Sequence, residues 1–383
     1  MQRIHLDHNA TTPLRPEARA EFLAVLDALG GNPSSVHASG RAARAVLDRA
    51  RERVAAALDV HEDEIVFTSG GTEAIHLGVL GALLPAARER GLLTTAVEHA
   101  AGLGAAETIE RSGRPVERLG VDREGRLDLA VAIERARRPA VGLVSIQAAN
   151  NEVGNLHPVG EVGHALRDRP NRALLHTDAV QALGRVPVRL REWKVDLASF
   201  SAHKVGGPLG VGILYRRKGV SLAPLLRGGG QEGGLRPGTE NVPAIAAAAV
   251  ALELAVREGP EQAVRWRGLA RELWRQLLAS CPDVQLNGPP IDADDRLPNT
   301  VNVMLPGLDG RTLVARLDLE GVEVSAGSAC ASGSLEPSHV LLAMGRAREE
   351  ARAALRLSFG RTTRGEDVHN AVEILGRIRQ EPR

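Results

Sequence analysis

The stretch that decides the fold is VDLASFSAHKVGGP, residues 195–208. Its first six residues are mostly apolar and typical of a buried strand, and the closing Gly-Gly-Pro predicts a loop. Lys204 therefore lies at a strand exit, where partial burial and nearby cations lower the pKa of an amine and make it nucleophilic toward aldehydes. A solvated surface lysine is the alternative. Only three lysines occur among the 48 Lys and Arg residues, however, so arginine supplies most of the surface charge.

Composition narrows the class of protein. The chain has 383 residues, net charge +1 and 43% hydrophobic residues, which predicts one large and one smaller domain with an ample core. This charge balance gives no reason to expect binding to nucleic acid or an acidic membrane surface. No apolar run approaches the roughly 20 residues of a membrane span, and the N-terminus lacks a signal-peptide pattern. With only Cys281 and Cys330 and no CxxC or HExxH pattern, we expect a cytoplasmic protein without disulfides or a metal site.

Strand and helix patterns alternate through the first two thirds of the chain. Apolar strands joined by helices predict an α/β fold with a mostly parallel sheet covered on both faces. Ligands bind such sheets beyond the carboxyl ends of the strands. Each polar residue at these exits has an ordinary structural interpretation as a cap or loop residue, but together they indicate one site. They are His99, Asn151, Asp178, Gln181, His203 and Lys204.

A glycine turn in the first third of the chain is a candidate phosphate site. Residues 64–68 read as a strand, SGGTE follows at 69–73, and a helix is expected from 74 to 90. A helix beginning after such a turn directs free backbone N–H groups at an anion. Gly71 would allow close approach and Thr72 would add a hydroxyl. An ordinary helix cap is the alternative.

The C-terminal part has a different pattern. The glycines at 228–234 predict a flexible loop rather than a stable element, and helices are expected at 242–257 and 260–280. We therefore predict an N-terminal segment packing with the small domain (1–13), a large domain (14–257) and a smaller α+β domain (258–383).

Two residues of the smaller domain are candidates for chemistry. Cys330 stands among small residues in AGSACASGS, which favours an accessible, reactive thiol. Arg356 lies in an apolar strand, where its guanidinium suits a carboxylate ligand. An ion pair between domains is the alternative for Arg356.

These parts together match pyridoxal phosphate. Its aldehyde needs an amine (Lys204), its phosphate a cradle (Gly71 and Thr72), and its pyridinium nitrogen a carboxylate (Asp178). His99 could cover the planar ring.

The chain also resembles a known family, the cysteine desulfurases of the class V aminotransferase group, in the iron–sulfur assembly subgroup with the long active-site loop. The matching motifs run nearly end to end: LDHNATTP (6–13), GNPSSVHASG (31–40), FTSGGTEA (67–74), EHAA (98–101), NNEVG (150–154), HTDAVQALG (176–184), SFSAHKVGGPLGVG (199–212), RPGTENV (236–242), SAGSACASGSLEPSHVLLAMG (325–345) and RLSFGR (356–361).

The resemblance implies fold type I of the pyridoxal-phosphate enzymes, a homodimer, and conversion of L-cysteine to L-alanine with a persulfide on Cys330. The sulfur would pass to an iron–sulfur scaffold protein or a tRNA-thiolation enzyme. The implied roles are a covalent link to the cofactor and α-proton transfer for Lys204, proton shuttling for His99, and pairing with the pyridine nitrogen for Asp178. Gln181 would bind the phenolic oxygen. The remaining roles are phosphate binding by Gly71, Thr72, Ser201, His203 and, in the other subunit's site, Thr239, with Asn151 and Arg356 holding the substrate carboxylate.

Two departures from the family pattern stand out. His76 replaces a frequent asparagine, and little chain follows the last helix, where relatives that dock a scaffold protein continue; the acceptor therefore stays open. A selenocysteine lyase or another class V enzyme is the nearest rival, and an idle sulfur-carrier partner is a rival of another class.

Overall fold

A computed structural model describes residues 3–167, 171–327 and 336–380 of the chain. The helices, in chain order, are α1 (Pro16–Ala28), α2 (Ala38–Ala57), α3 (Gly71–Leu83), α4 (Ala100–Arg111), α5 (Leu129–Ala136), α6 (Val159–Arg167), α7 (Val242–Ser280), α8 (Gly310–Leu319), α9 (His339–Ala343), α10 (Arg348–Arg352) and α11 (Gly365–Gln380). The strands are β1 (Ile4–His5), β2 (Ile65–Thr68), β3 (Gly91–Thr95), β4 (Val116–Leu119), β5 (Val141–Ser145), β6 (Leu174–Asp178), β7 (Leu197–Ser201), β8 (Gly212–Arg216), β9 (Gln285–Asn287), β10 (Thr300–Met304), β11 (Val322–Glu323) and β12 (Ala354–Ser358).

The central sheet has seven strands in the order β2-β8-β7-β6-β5-β3-β4. The β3–β4, β3–β5, β5–β6 and β6–β7 pairs are parallel, and β8 is antiparallel to both of its neighbours. Strands β3, β5 and β7 are buried along their whole length, as expected where helices cover both faces. The prediction of an α/β fold with a mostly parallel sheet is confirmed.

A second apolar core lies around a smaller antiparallel sheet of order β12-β10-β9. It takes residues from the C-terminal half of α7 and from α8 and α11, and it includes Leu6 of the N-terminal segment. Strand β1 pairs in parallel with β11 through Ile4 and Val322. Residues near the N-terminus therefore pack with the C-terminal part of the chain. Cys281, at the end of α7, is fully buried here as a core residue.

Helix α7 corrects the expectation of two helices separated near residue 258. It runs without interruption for 39 residues, with Pro260 inside it. An internal proline costs a helix roughly 3 kcal/mol because it removes a backbone hydrogen bond. The helix contributes Ala244 and Ala248 to the large core and Leu273 and Leu277 to the second core, and this packing offsets the loss. The division at 257/258 falls within this helix and stays a prediction.

The glycine-rich run at 228–234 also differs from expectation, because it contains a short 3-10 turn at Gln231–Gly234. Glu232 anchors the turn although its φ is +50°. Its carboxylate accepts hydrogen bonds from the Arg51 guanidinium at 2.6 and 3.0 Å and from the backbone N–H of Phe67 at 2.8 Å. One buried acid thus orders a segment whose glycines alone would leave it flexible.

In the described part of the chain, no helix combines the length and the apolar character needed to cross a membrane.

Candidate active site

A cavity of about 170 Å³ lies beyond the carboxyl ends of the central strands. Ten of the twelve residues proposed from the sequence line it: Gly71, Thr72, His99, Asn151, Asp178, Gln181, Ser201, His203, Lys204 and Arg356. Strand β6 ends in the cavity at Asp178 and β7 at Ser201, because neighbouring parallel strands finish at one edge of the sheet. The polar groups that sequence reasoning placed at strand exits are therefore brought together.

Lys204 follows β7 on a one-turn 3-10 helix, Ala202–Lys204. Its Nζ donates to the backbone carbonyl oxygens of Asn9 and Ala10, both at 2.6 Å. Two short bonds to neutral acceptors suit an ammonium with three N–H donors. Loss of one proton would leave the amine two N–H donors for these carbonyls and a free lone pair to act as a base.

Two buried carboxyl groups lie near one another: Asp178 lines the cavity, whereas Glu98 is not among the lining residues. Glu98 is 1% exposed, and burial, with a smaller contribution from Asp178, raises its pKa to about 8. The Thr95 hydroxyl and the Gln147 N–H donate to its Oε1 at 2.7 and 3.0 Å. Burial also raises the pKa of Asp178, whereas His99 and Lys204 lower it. Glu98 is thus protonated near neutral pH, which leaves Asp178 better placed to carry a negative charge.

His99 is the N-cap of α4, and this position selects its tautomer. Its Nδ1 accepts a hydrogen bond from the backbone N–H of Ala101 at 3.1 Å. An imidazole nitrogen that accepts a hydrogen bond carries no proton, so the neutral ring holds its proton on Nε2. In this arrangement His99 can donate a proton from Nε2. Accepting a second proton at Nδ1 would break the helix cap.

Gly71 and Thr72, the residues expected to hold a phosphate, lie at the N-terminus of α3. Gly71 is the first residue of this helix, and a Cβ on it would come within 3.3 Å of both Ser201 Cβ and Val180 Cγ2. Thr72 is exposed at the cavity rim. Free N–H groups and a close backbone approach are the features by which a helix terminus binds an anion.

His203, another of the expected phosphate ligands, is an uncharged group at neutral pH. Desolvation, together with Lys204 and Arg185, lowers its pKa to about 4. Its Nδ1 pairs with the Thr11 hydroxyl at 3.1 Å. His203 would therefore bind an anion through a hydrogen bond and not through its charge.

Gln181 is a buried residue of the cavity wall, and only one end of its side-chain amide has a hydrogen-bond partner among the described residues. Its Nε2 donates to the Asn9 carbonyl at 3.0 Å, and its buried Oε1 has no hydrogen-bond partner among the described residues. A buried carbonyl oxygen left without a donor is costly. A ligand with a hydroxyl at this point would supply the missing donor.

Arg356, on β12, is 1% exposed. The sequence left open whether it binds a ligand carboxylate or forms an ion pair, and its surroundings suit both. It lines the cavity, and its Nη2 donates to the Asp7 carboxylate at 2.7 Å. Its Nη1 donates to the backbone carbonyl of Asn151 at 3.1 Å. Asn151 thus takes part through its main chain as well as through its place in the wall.

Two of the proposed residues, Thr239 and Cys330, are not among the ten that line the cavity. Thr239 is on an exposed loop and does not line the cavity of its own chain. Arg236 ties that loop to α3 by donating to Glu73 at 3.1 Å. Cys330 lies outside the described residues. His76, the departure from the family pattern, pairs with the Thr72 carbonyl at 2.9 Å and does not line the cavity.

Sequence reasoning missed the contribution of the N-terminal segment. Asn9 and Ala10 line the cavity, and Asp7 holds its arginine. The only sequence signal for them was the motif at residues 6–13. Their backbone carbonyls carry the main contacts to Lys204, and a carbonyl is present at every residue, so no residue type marks this role.

Residues 4–370 match the family described as aminotransferase class-V. The chain belongs to the class-V aminotransferase family. Membership of this family, together with the relatives that follow, implies an enzyme that uses pyridoxal phosphate.

Two curated relatives within the family match almost end to end. A protein of Dictyoglomus turgidum named cysteine desulfurase IscS is 42% identical over 98% of this chain and 94% of its own length. A cysteine desulfurase of Cereibacter sphaeroides is 44% identical over 98% of this chain and 95% of its own.

Solved structures of the family extend the likeness to the fold. A NifS-like protein superimposes with a TM-score of 0.91 and 38% identity, covering 98% of this chain and 99% of that one. A structure titled "SspA in complex with cysteine" has a TM-score of 0.80 and 31% identity, covering 93% and 98%. The expected fold type I of the pyridoxal-phosphate enzymes, and the resemblance to cysteine desulfurases, are confirmed.

Proposed function

We propose that the protein is a cysteine desulfurase, which converts L-cysteine to L-alanine and keeps the sulfur as a persulfide on Cys330. The observation that carries the proposal is one cavity in which Lys204, Asp178 and Arg356 meet. These are an amine, an acid and a carboxylate receptor. The names of relatives 42 and 44% identical over nearly the whole chain support the same reaction. A structural neighbour at 31% identity is titled as a complex with cysteine.

The cavity residues fit pyridoxal phosphate. Gly71, Thr72, Ser201 and His203 would hold the phosphate, with Thr239 acting from the partner in a homodimer. Asp178 would face the pyridine nitrogen, and the partnerless Oε1 of Gln181 supports a hydrogen bond at the phenolic oxygen. When bound, the cofactor supplies an aldehyde that condenses with amines and a protonated ring that withdraws electrons.

Lys204 provides the amine and the base. Its Nζ would be the group that holds the cofactor, and as a free amine it would be available to the substrate. As a neutral amine it then removes the α-proton of L-cysteine. The Asn9 and Ala10 carbonyls, now bonded to its Nζ, are ready to hold the ammonium that results.

His99 acts in the same reaction as a proton donor. Because its Nδ1 caps α4, the proton it gives comes from Nε2. The ring can take that proton back at the same atom, from the substrate thiol or from Cys330, without disturbing the helix.

Arg356 and Asn151 bind the substrate carboxylate, while Cys330 accepts the sulfur. The Cys330 thiolate would attack the substrate sulfur, so an S–S bond forms as the C–S bond breaks; the electron pair stays with the carbon part, which takes up a proton and leaves as alanine. An iron–sulfur scaffold protein or a tRNA-thiolation enzyme would receive the sulfur. The free, buried Cys281 supports the proposal of a reducing, cytoplasmic location.

The purified enzyme tests this proposal directly. Incubation with L-cysteine should release L-alanine in step with persulfide on Cys330, detected by mass spectrometry of the intact chain and its peptides. The Cys330→Ser variant is the matched control. Pyruvate or a transamination product in place of alanine, or turnover of selenocysteine alone, would favour another class V activity and overturn the assignment.

A further inference from the structure

The N-terminal segment holds both cationic side chains that the proposed reaction needs. Asp7 pairs with Arg356, and the Asn9 and Ala10 carbonyls bind Lys204. Asp7 reaches Arg356 from the main chain that runs beside β12, where it bridges to Ser358. Residues 7–10 therefore occupy, from within the chain, the partners that ligands would otherwise engage.

The pairing of Asp7 with Arg356 is enforced by burial. The arginine side chain is 1% exposed and the aspartate side chain 17%. An isolated charge in such surroundings is very costly, so the guanidinium requires a nearby anion at all times. Among the described residues, Asp7 is the only carboxylate within salt-bridge distance of it.

The guanidinium keeps capacity for a second acceptor. It has five N–H donors, and beside the bonds to Asp7 and to the Asn151 carbonyl its buried Nε has no hydrogen-bond partner among the described residues. A ligand carboxylate that binds Arg356 would stand beside the carboxylate of Asp7. Two like charges on one buried arginine repel each other, so each weakens the binding of the other.

We propose that Asp7 is an internal substitute for the substrate carboxylate, which neutralises Arg356 in the free enzyme and competes with the ligand for it. This inference rests on the proposed function in that Arg356 binds the carboxylate of L-cysteine. Asp7 is accordingly a positioning residue that sets the affinity for amino-acid ligands. Asp7 weakens the binding of amino acids, but it keeps Arg356 paired with an anion when the cavity holds no amino acid.

The Asp7→Asn variant of the holoenzyme tests this competition. The amide keeps the size of the side chain and can accept a hydrogen bond from Arg356, but it removes the negative charge. L-Alanine should bind about tenfold more tightly, equivalent to about 1.4 kcal/mol, by isothermal titration calorimetry. L-Alaninamide, which lacks the carboxylate, should bind as it does to the wild type. The KM for L-cysteine should fall without a rise in kcat, because the gain is in ground-state binding.

Two variants complete the design. Glu323→Gln is the matched control: Glu323 binds His5 at 2.6 Å and Arg3 at 2.8 Å, so it holds the same segment without touching the cavity. Its alanine affinity should stay unchanged. Asp7→Glu keeps the charge and should stay within about threefold of the wild type. If Asp7→Asn does not fold, Asp7→Ser replaces it with the same expectation.

Unchanged or weaker binding of L-alanine to the uncharged variants would refute the proposal that Asp7 substitutes for the ligand carboxylate. Equal tightening of alanine and alaninamide would refute it too. The outcome is separate from the fate of the proposed function, because neither ligand carries sulfur. A wild-type enzyme that makes no persulfide would refute the desulfurase assignment. The comparison of L-alanine with L-alaninamide binding would still test the role of Asp7.

Discussion

Replacing Glu98 by glutamine should make the protein more stable, and increasingly so as the pH rises. Glutamine retains an Oε1 acceptor for the Thr95 hydroxyl and the Gln147 N–H. What it loses is the ability to ionise in a site that is 1% exposed. The substitution thus isolates the cost of a buried carboxylate.

The sign and size follow from the pKa of Glu98, which burial raises from 4.5 to about 8. A raised pKa in the folded state contributes stability below pH 4.5 that is lost as the pH rises toward 8. The ceiling on this loss is about 4–5 kcal/mol, at about 1.4 kcal/mol for each unit of pKa shift. Glu98→Gln should resemble the wild type at pH 5 and exceed it by several kcal/mol at pH 8.5.

Urea unfolding of both proteins at several pH values between 5 and 8.5 measures the difference. Glu366→Gln, which removes an exposed carboxylate from the first turn of α11, is the control and should show no such gain. Parallel pH profiles for wild type and Glu98→Gln would mean that Glu98 ionises freely in the fold. The reasoning on its protonation would then be wrong.

The remaining predictions concern the reaction and the loss of folding stability at low pH. Cys330→Ala should keep the cofactor yet form no persulfide by mass spectrometry; sulfur found on the fully buried Cys281 of the wild type would contradict the assignment. Lys204→Ala should lose the covalent cofactor link and at least about a hundredfold in alanine formation, the lower range for a positioned acid–base group; turnover at the wild-type rate would exclude that role. His176 is fully buried, and burial lowers its pKa to about 3, so it stays neutral in the fold and its contribution to stability is lost as the pH falls from 6.5 toward 3. In the His176→Gln variant, the free energy of unfolding measured with urea should fall less steeply between pH 6.5 and pH 3 than in the wild type. An unchanged pH dependence would count against this role of His176.

The sheet and most of the site were predictable because their signals are local. An apolar run that ends in glycine or a polar residue marks a strand exit, and parallel strands end together, so Asp178, His203 and Lys204 could be grouped from the sequence alone. Gly71 was recognisable from the turn between a strand and a helix. These inferences need only the periodicity of neighbouring residues.

Other features depend on contacts between distant residues and have no local signal. The pairing of Asp7 with Arg356 joins positions 349 apart in the chain. The protonated state of Glu98 depends on burial by surrounding elements, and the continuity of α7 through Pro260 depends on helices packed along both of its halves. In each case tertiary packing overrides what the residue alone would favour.

The pairing of β1 with β11, and of Asp7 with β12, has a consequence for biosynthesis. The first residues to leave the ribosome wait for partners made more than 300 positions later. Until translation is nearly finished, the N-terminal segment that carries the Asn9 and Ala10 carbonyls lacks its partners β11 and β12, and Arg356 does not yet exist. Capture of the vitamin-derived cofactor is therefore expected only after release of the nascent polypeptide, and a stalled or truncated product should remain colourless.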